Sequence, residues 1–157
     1  MVEVGDPMPD FSLPDPEGEL HGPGRYRGRP VVVFFFPRAL SPGCLREVRA
    51  FAELLPEFER LGAVVLGVGP DGPERMARFR ERSGAGFPLL ADPGAEVARR
   101  FGAFGEKRLY GRRSEGVFRH TYVADPEGRV VGRVLRARPE EHAERALSLV
   151  REAVGGG

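Results

Sequence analysis

Apolar positions along the chain fall into two patterns: short unbroken runs, and stripes that recur every three or four residues. Val31 to Phe36 (VVVFFF) and Ala63 to Val68 (AVVLGV) are unbroken, and FPLLAD at Phe87 to Asp92 is a shorter run. Such runs are too short for an ordinary helix and predict strands covered on both faces. Between them the period changes. Leu45, Val48, Phe51, Ala52 and Leu55 recur at helical spacing, Met76 and Phe79 do so within Pro73 to Arg82, and Gly94 to Phe101 predicts a short helix ended by Gly102. Pro56 is expected to break or kink the first helix, and Gly62 to cap it.

The ends of the chain add hairpins and a last helix. GDPMPDFSL from Gly5 to Leu13, followed by PDPEGEL, predicts an N-terminal hairpin whose second strand lies around Glu19 to His21. Val117 to Ala124 and Arg129 to Leu135 read as strands joined by the tight turn DPEG. Pro139 to Val154 reads as an amphipathic helix with Ala146, Leu147 and Val150 on one face. Strands alternating with helices point to βαβ units in a mainly parallel sheet, to which the late hairpin adds antiparallel strands. The expected architecture is α/β: a thioredoxin-like fold, its central mixed sheet flanked by helices, with an N-terminal β-hairpin extension.

Composition narrows the function. At 157 residues, 41% hydrophobic and 30% charged, the chain suits one domain over 1–154, with the glycines at 155–157 as a disordered tail. The net charge is +1 and both signs are interspersed, so no nucleic-acid or anionic-membrane footprint is expected. No apolar stretch approaches a membrane span, and the first residues lack the pattern of a secretion signal. One cysteine cannot close an internal disulfide, which suits the cytoplasm, for a monomer or homodimer. Lys107 is the only lysine among many arginines, a bias that reflects coding or heat adaptation as readily as function. His21, His120 and His142 have no metal-site spacing, and GVGPDG lacks the G-K-[ST] ending of a phosphate loop, so neither metal nor cofactor is expected.

The chemistry concentrates in VVVFFFPRALSPGCLRE, Val31 to Glu47. Pro37 ends the strand because it has no N–H for the ladder. Ser41 suits an N-cap and Pro42 the first helical position, which puts Cys44 third in the helix. A thiol there faces the positive end of the helix dipole, where a thiolate is favoured. A lone cysteine is often an inert buried hydrophobe; the strand, proline, hydroxyl and helix start around this one favour a reactive thiol.

A second group stands in GVFRHTYVAD. Strand alternation puts Arg119, Thr121 and Val123 on one face, and Phe118, His120 and Tyr122 on the other. From spacing alone two readings stand. Arg119 is either an exposed residue of an arginine-rich chain, or a buried guanidinium that needs a partner such as the Cys44 thiolate and Glu47, one turn further along its helix.

Pro37, Ser41 and Cys44 stand in the spacing P-x-x-x-S-x-x-C, which resembles the peroxiredoxin motif P-x-x-x-T/S-x-x-C. Arg119, Thr121 and Asp125 are similar to the family's late-strand pattern R-x-T-x-x-x-D. The N-terminal pattern in Gly5, Asp6, Pro9, Asp10, Phe11 and Leu13 is similar too. SPGCLRE and the loop residues Gly105, Glu106, Lys107, Tyr110, Gly111 and Gly116 resemble the bacterioferritin-comigratory, or peroxiredoxin Q, subfamily. The resemblance implies a thiol peroxidase in which Cys44 is peroxidatic. Arg119, the Ser41 hydroxyl and backbone N–H groups near Gly43 would bind the peroxide oxygens, Pro37 would shield the sulfur, and Glu47 would support Arg119.

One departure matters. Many members of the subfamily carry a resolving cysteine five residues after the first, where this chain has Arg49, and Pro73 to Arg82 has none either. An external thiol, whether thioredoxin, glutaredoxin or a low-molecular-weight thiol, is therefore expected as reductant. A redox sensor and a non-catalytic thioredoxin-fold binding module are the other readings open to the sequence.

Overall fold

The computed structural model describes residues 1–155. Two short strands, β1 (Leu13–Pro14) and β2 (Leu20–His21), form the expected N-terminal hairpin. Then follow β3 (Val31–Phe35), α1 (Pro42–Arg60), β4 (Val64–Gly69), α2 (Pro73–Ser83), β5 (Leu89–Ala91) and α3 (Glu96–Phe101). The chain closes with β6 (Phe104–Leu109), β7 (Arg112–Val117), β8 (Thr121–Ala124), β9 (Val130–Val134) and α4 (His142–Gly155). None of the described helices is long and apolar enough to cross a membrane.

The main sheet has the order β5-β4-β3-β8-β9, so β3 is its middle strand. β3 runs parallel to β4 and antiparallel to β8; β4 and β5 are parallel, β8 and β9 antiparallel. The sheet is therefore evenly mixed rather than mainly parallel. Side-chain alternation along β3 explains its unbroken apolar run. Val32, Phe34 and Phe36 enter one core with Val48 and Phe51 of α1, Phe79 of α2 and Ala146 of α4. Val31, Val33 and Phe35 enter the other, with Phe101 of α3, Tyr122 of β8 and Phe11. Burying each such phenylalanine stabilises the fold by about 1.5–3 kcal/mol, which anchors β3 firmly beneath the turn that leads to the cysteine.

Three local expectations change. Pro56 does not end α1, which continues to Arg60. Pro56 is exposed, so its missing hydrogen bond faces water, while Phe58 beyond it is fully buried and stacks on Phe51 at 5.9 Å. The expected tail at 155–157 is shortened, because α4 reaches Gly155; the remainder lies outside the described residues.

The third change is the largest. Val117 to Ala124 is not one strand. Val117 ends β7, which pairs only with β6 in a separate two-stranded sheet, whereas β8 pairs with β3. The chain changes sheets across Phe118–His120, and Arg119 sits in that break. The β6–β7 hairpin carries no hydrophobic strand pattern: FGEKRL and RRSEGV show no apolar face, and most of β7 is exposed. Its turn at Tyr110 and Gly111, both with positive φ (54° and 76°), has the handedness that two-residue hairpins require.

Candidate active site

The site begins where β3 stops. After Phe36 the chain crosses Pro37 to Leu40, a turn fastened from outside: Asp71 accepts the Ala39 N–H at 2.7 Å, and Arg75 donates to the Ala39 carbonyl at 2.9 Å. Arg75 and Asp71 pair with each other at 3.1 Å. Leu40 takes a left-handed conformation (φ 68°), which swings the chain into α1. Asp71 and Arg75 were not singled out from sequence, since a carboxylate and an arginine four residues apart give no signal of a distant backbone partner.

Ser41 occupies the N-cap and Pro42 the first helical position, as the spacing predicts. The Ser41 hydroxyl makes no capping bond, however, and donates instead to the Arg38 carbonyl at 2.9 Å. The first-turn N–H groups near Gly43 and Cys44 thus lack the usual side-chain cap and point, with the positive end of the helix dipole, at whatever approaches the sulfur.

Cys44 exposes nothing to solvent. The Arg119 guanidinium reaches it, with Nη1 3.5 Å from Sγ, and the same nitrogen lies 2.9 Å from Oε1 of Glu47. Of the two readings open to the sequence, the paired one holds: the Arg119 side chain is 20% exposed and that of Glu47 fully buried. A Cβ on Gly43 would lie 3.0 Å from Nη2 of Arg119, so glycine there lets the guanidinium close over the helix start.

Behind this pair lies a group that the sequence did not reveal. His142, at the start of α4, is fully buried; its Nδ1 is 2.9 Å from the Thr121 hydroxyl and 3.8 Å from Oε2 of Glu47. Among the described residues, Oε2 of Glu47 and Nε2 of His142 have no hydrogen-bond partner. Burial pushes the Glu47 carboxyl up to about 8, against the pull of the Arg119 charge and its hydrogen bond. Burial first, and Arg119 second, hold His142 down to about 4. A proton kept on Glu47 leaves more of the guanidinium charge to the sulfur. His120, which strand alternation places on the face away from Arg119, is structural: it is buried, bonded to the Tyr122 hydroxyl at 2.9 Å, and held down to about 4 chiefly by burial.

These groups fix how stability should follow pH. His120 and His142 have folded values below the ordinary 6.5, so their contribution is present above about 6.5 and lost as pH falls through about 4. Glu47 has a folded value above 4.5, so its contribution is present below 4.5 and lost as pH rises through about 8. Between about 4.5 and 6.5 two histidines outweigh one carboxyl, and above 6.5 only the carboxyl acts. Stability is expected to peak near pH 6.5, and Glu47→Gln to remove the decline from there to pH 8. Urea unfolding of both proteins at pH 5, 6.5 and 8 checks this. A wild-type protein no weaker at pH 8 than at 6.5 would mean that Glu47 is already ionised in the fold.

Pro37 and Arg119 also line a cavity of about 510 Å³ shared with Lys107, Phe118, Leu135 and Arg136. Far from it, the N-terminal hairpin gathers Asp15, Glu19 and His21 within 4.8 Å of one another, a cluster that spacing did not disclose. Both ring nitrogens of His21 are already engaged, with Tyr26 at 2.7 Å and Asp15 at 3.1 Å, and these bonds tie β1 to β2 and the turn after it.

Residues 4–133 match the AhpC/TSA family. A protein of Mycobacterium tuberculosis (strain H37Rv) named as a peroxiredoxin is 45% identical over 127 residues, 81% of each chain. Peroxiredoxin Bcp of Escherichia coli K12 is 35% identical over 129 residues, 82% of this chain and 83% of its own. A structure of the Xanthomonas campestris bacterioferritin comigratory protein, concerned with its alkyl peroxide reduction activity, superposes with a TM-score of 0.83 at 31% identity, covering 90% of each chain. These matches and the thioredoxin-like sheet agree on a thiol peroxidase, an enzyme that takes a peroxide and a thiol reductant. The chain belongs to the AhpC/TSA family, as a peroxiredoxin of the bacterioferritin-comigratory, or peroxiredoxin Q, type with a single cysteine.

Proposed function

We propose that Cys44 is the peroxidatic cysteine and that the Arg119 guanidinium is the group that makes it reactive. The observation that carries this is one nitrogen of Arg119 shared between the Cys44 sulfur at 3.5 Å and Glu47 at 2.9 Å, at an uncapped helix start. The Cys44 thiolate attacks one peroxide oxygen and the O–O bond breaks. The departing hydroxide or alkoxide takes a proton from water, and the sulfur keeps one oxygen as sulfenic acid. Two electrons pass from sulfur to peroxide. Arg119 and the N–H groups near Gly43 and Cys44 stabilise the charge that builds on the oxygens. The Ser41 hydroxyl donates a hydrogen bond to the Arg38 carbonyl, which leaves its lone pairs free to accept the O–H of the peroxide. Pro37 walls the cavity beside Arg119 and keeps bulk water from the sulfur. Glu47 holds Arg119 in place.

The alkyl peroxide activity of the Xanthomonas relative supports organic hydroperoxides, beside hydrogen peroxide, as substrates. With one cysteine, a thiol from outside the chain must displace hydroxide from the sulfenic sulfur, giving a mixed disulfide and water, and a second thiol then frees Cys44. A free thiolate of this kind suits the reducing cytoplasm. Residues 1–154 act as one domain on this reading, since both apolar cores share the main sheet.

Intact mass after a peroxide pulse tests the cycle. Without thiol, the protein should gain two and then three oxygens, as sulfinic and sulfonic acid. With glutathione present, a mixed disulfide that dithiothreitol removes should appear instead. A sensor would take up a single equivalent of peroxide and stop, with thiol or without. If neither added oxygen nor thiol adduct appears, Cys44 is not the nucleophile.

A further inference from the structure

The cavity beside Arg119 is charged in one sense. Its cationic side chains are Arg119, Lys107 from β6 and Arg136 just after β9; Met1, Pro37, Phe118 and Leu135 give it apolar walls, His120 also lines it, and among the described residues no carboxylate does. Lys107 is half-buried and, with Arg136, makes no ion pair among the described residues, although the chain is otherwise rich in such pairs. Glu106, its neighbour, points to the opposite face of the strand and pairs with Arg113 at 3.1 Å and Arg108 at 3.7 Å. The lysine stem packs against Gly116 on the facing strand, where a Cβ would stand in ordinary contact, 3.4 Å from Cε. Burial chiefly, then the Arg119 charge, hold the Lys107 ammonium below the usual lysine value. An ammonium partly stripped of water beside the Arg119 guanidinium, offset only by the Cys44 sulfur, is costly until a further anion joins it.

We propose that this cavity is an anion subsite of the peroxidase, in which Lys107 and Arg136 hold the carboxylate of a small substrate while its reacting end points to Cys44. The inference rests on Cys44 being the peroxidatic residue. At about 510 Å³ the cavity falls in the size class of small-molecule sites, roughly 300–1,000 Å³, and its apolar walls take the carbon chain between carboxylate and reacting atom. Two substrates could carry that carboxylate. One is the thiol reductant, whose sulfur forms the S–S bond as hydroxide leaves the sulfenic sulfur with the thiol proton, as water. The other is a hydroperoxide acid, whose O–O bond breaks at the Cys44 thiolate.

The test pairs each carboxylate with its methyl ester: 3-mercaptopropionate and its ester as reductants, with rates expressed per thiolate, and a carboxylate-bearing alkyl hydroperoxide and its ester as oxidants. Every kcat/KM is divided by the hydrogen peroxide rate of the same protein with dithiothreitol. In wild-type protein at low salt, one pair should favour the carboxylate by about tenfold, as a partly exposed charge-assisted contact allows. Selectivity in the thiol pair assigns the subsite to the reductant, and selectivity in the hydroperoxide pair assigns it to the oxidant. Either preference should fall towards one in Lys107→Met with Arg136→Gln, and partly in Arg136→Gln alone, whose side chain is exposed. The proposal is overturned if neither pair discriminates, or if discrimination survives both substitutions. Absence of hydrogen peroxide turnover in the wild type would instead remove the peroxidase reading on which the inference rests.

Discussion

Cys44→Ser should abolish peroxide turnover, by on the order of 10⁴-fold or more, because a hydroxyl at neutral pH is no substitute for a thiolate nucleophile. The fold should survive. Cys44 is fully buried among Ala39, Val48 and the other residues of its core, so the serine hydroxyl enters an apolar site. One partner is at hand, since the Arg119 nitrogen already lies 3.5 Å from the sulfur position. The cost should therefore stay near about 1–2 kcal/mol, less than an unpaired buried hydroxyl and well within a domain stability of roughly 5–15 kcal/mol. Peroxide consumption with dithiothreitol, measured beside a thermal melt, separates the two effects. A folded serine variant that still turned over would falsify the assignment of Cys44.

Arg119→Ala has the second largest expected effect, and it acts twice. It removes the donor nearest the sulfur, a loss of about 10²–10³ in rate by comparison with other preorganised donors to a developing negative charge. It also leaves Glu47, fully buried, without its only hydrogen-bond partner among the described residues. An ionised carboxylate stranded in that position would cost about 3–5 kcal/mol, but Glu47 is already pushed towards its neutral form, so a smaller loss is expected. Adding Glu47→Gln to Arg119→Ala separates the roles. The double variant should recover part of the stability, because no ionisable carboxyl is left without Arg119, and should recover none of the rate. Rapid-mixing measurement of Cys44 oxidation, together with urea unfolding of the single and double variants, gives both numbers. If the rate returns with the stability, Arg119 is a structural residue and the sulfur gains its reactivity elsewhere.

Lys107 is the sole lysine and stands in the loop that resembles the subfamily, yet composition alone reads it as coding bias or heat adaptation as readily as function. Only its half-buried place on a polar hairpin, facing a cavity with two guanidinium groups, gives it chemical meaning.

His142 gave no comparable signal. Its spacing on an amphipathic helix is that of any core-facing residue, and its partners Thr121 and Glu47 lie 21 and 95 positions away. The distance between helices cannot be read from the period within one.

The sequence by itself determined the elements whose causes are local. Val31 to Phe36 had to be a doubly covered strand because every position in it is apolar, and Ser41-Pro42 suits a helix start because the missing proline N–H costs nothing at the first helical position. Together these put Cys44 in a helical first turn after a central strand. The pairing of Arg119 with Cys44 and Glu47 was decided only in three dimensions. Alternation gave Arg119 the right face but the wrong element, since the residue sits where the chain leaves the β6–β7 hairpin for the main sheet. That hairpin has no apolar face, so hydrophobic period could not announce it, and its strands are specified by pairing and by the turn at Tyr110 and Gly111. Likewise Ser41 took the cap position but turned its hydroxyl to Arg38, a choice made by the fastened turn before it. Periodicity and backbone chemistry act within a few residues and are written in the sequence. Contacts across tens of residues depend on how the strands and helices are arranged in space, and no short stretch of sequence encodes that arrangement.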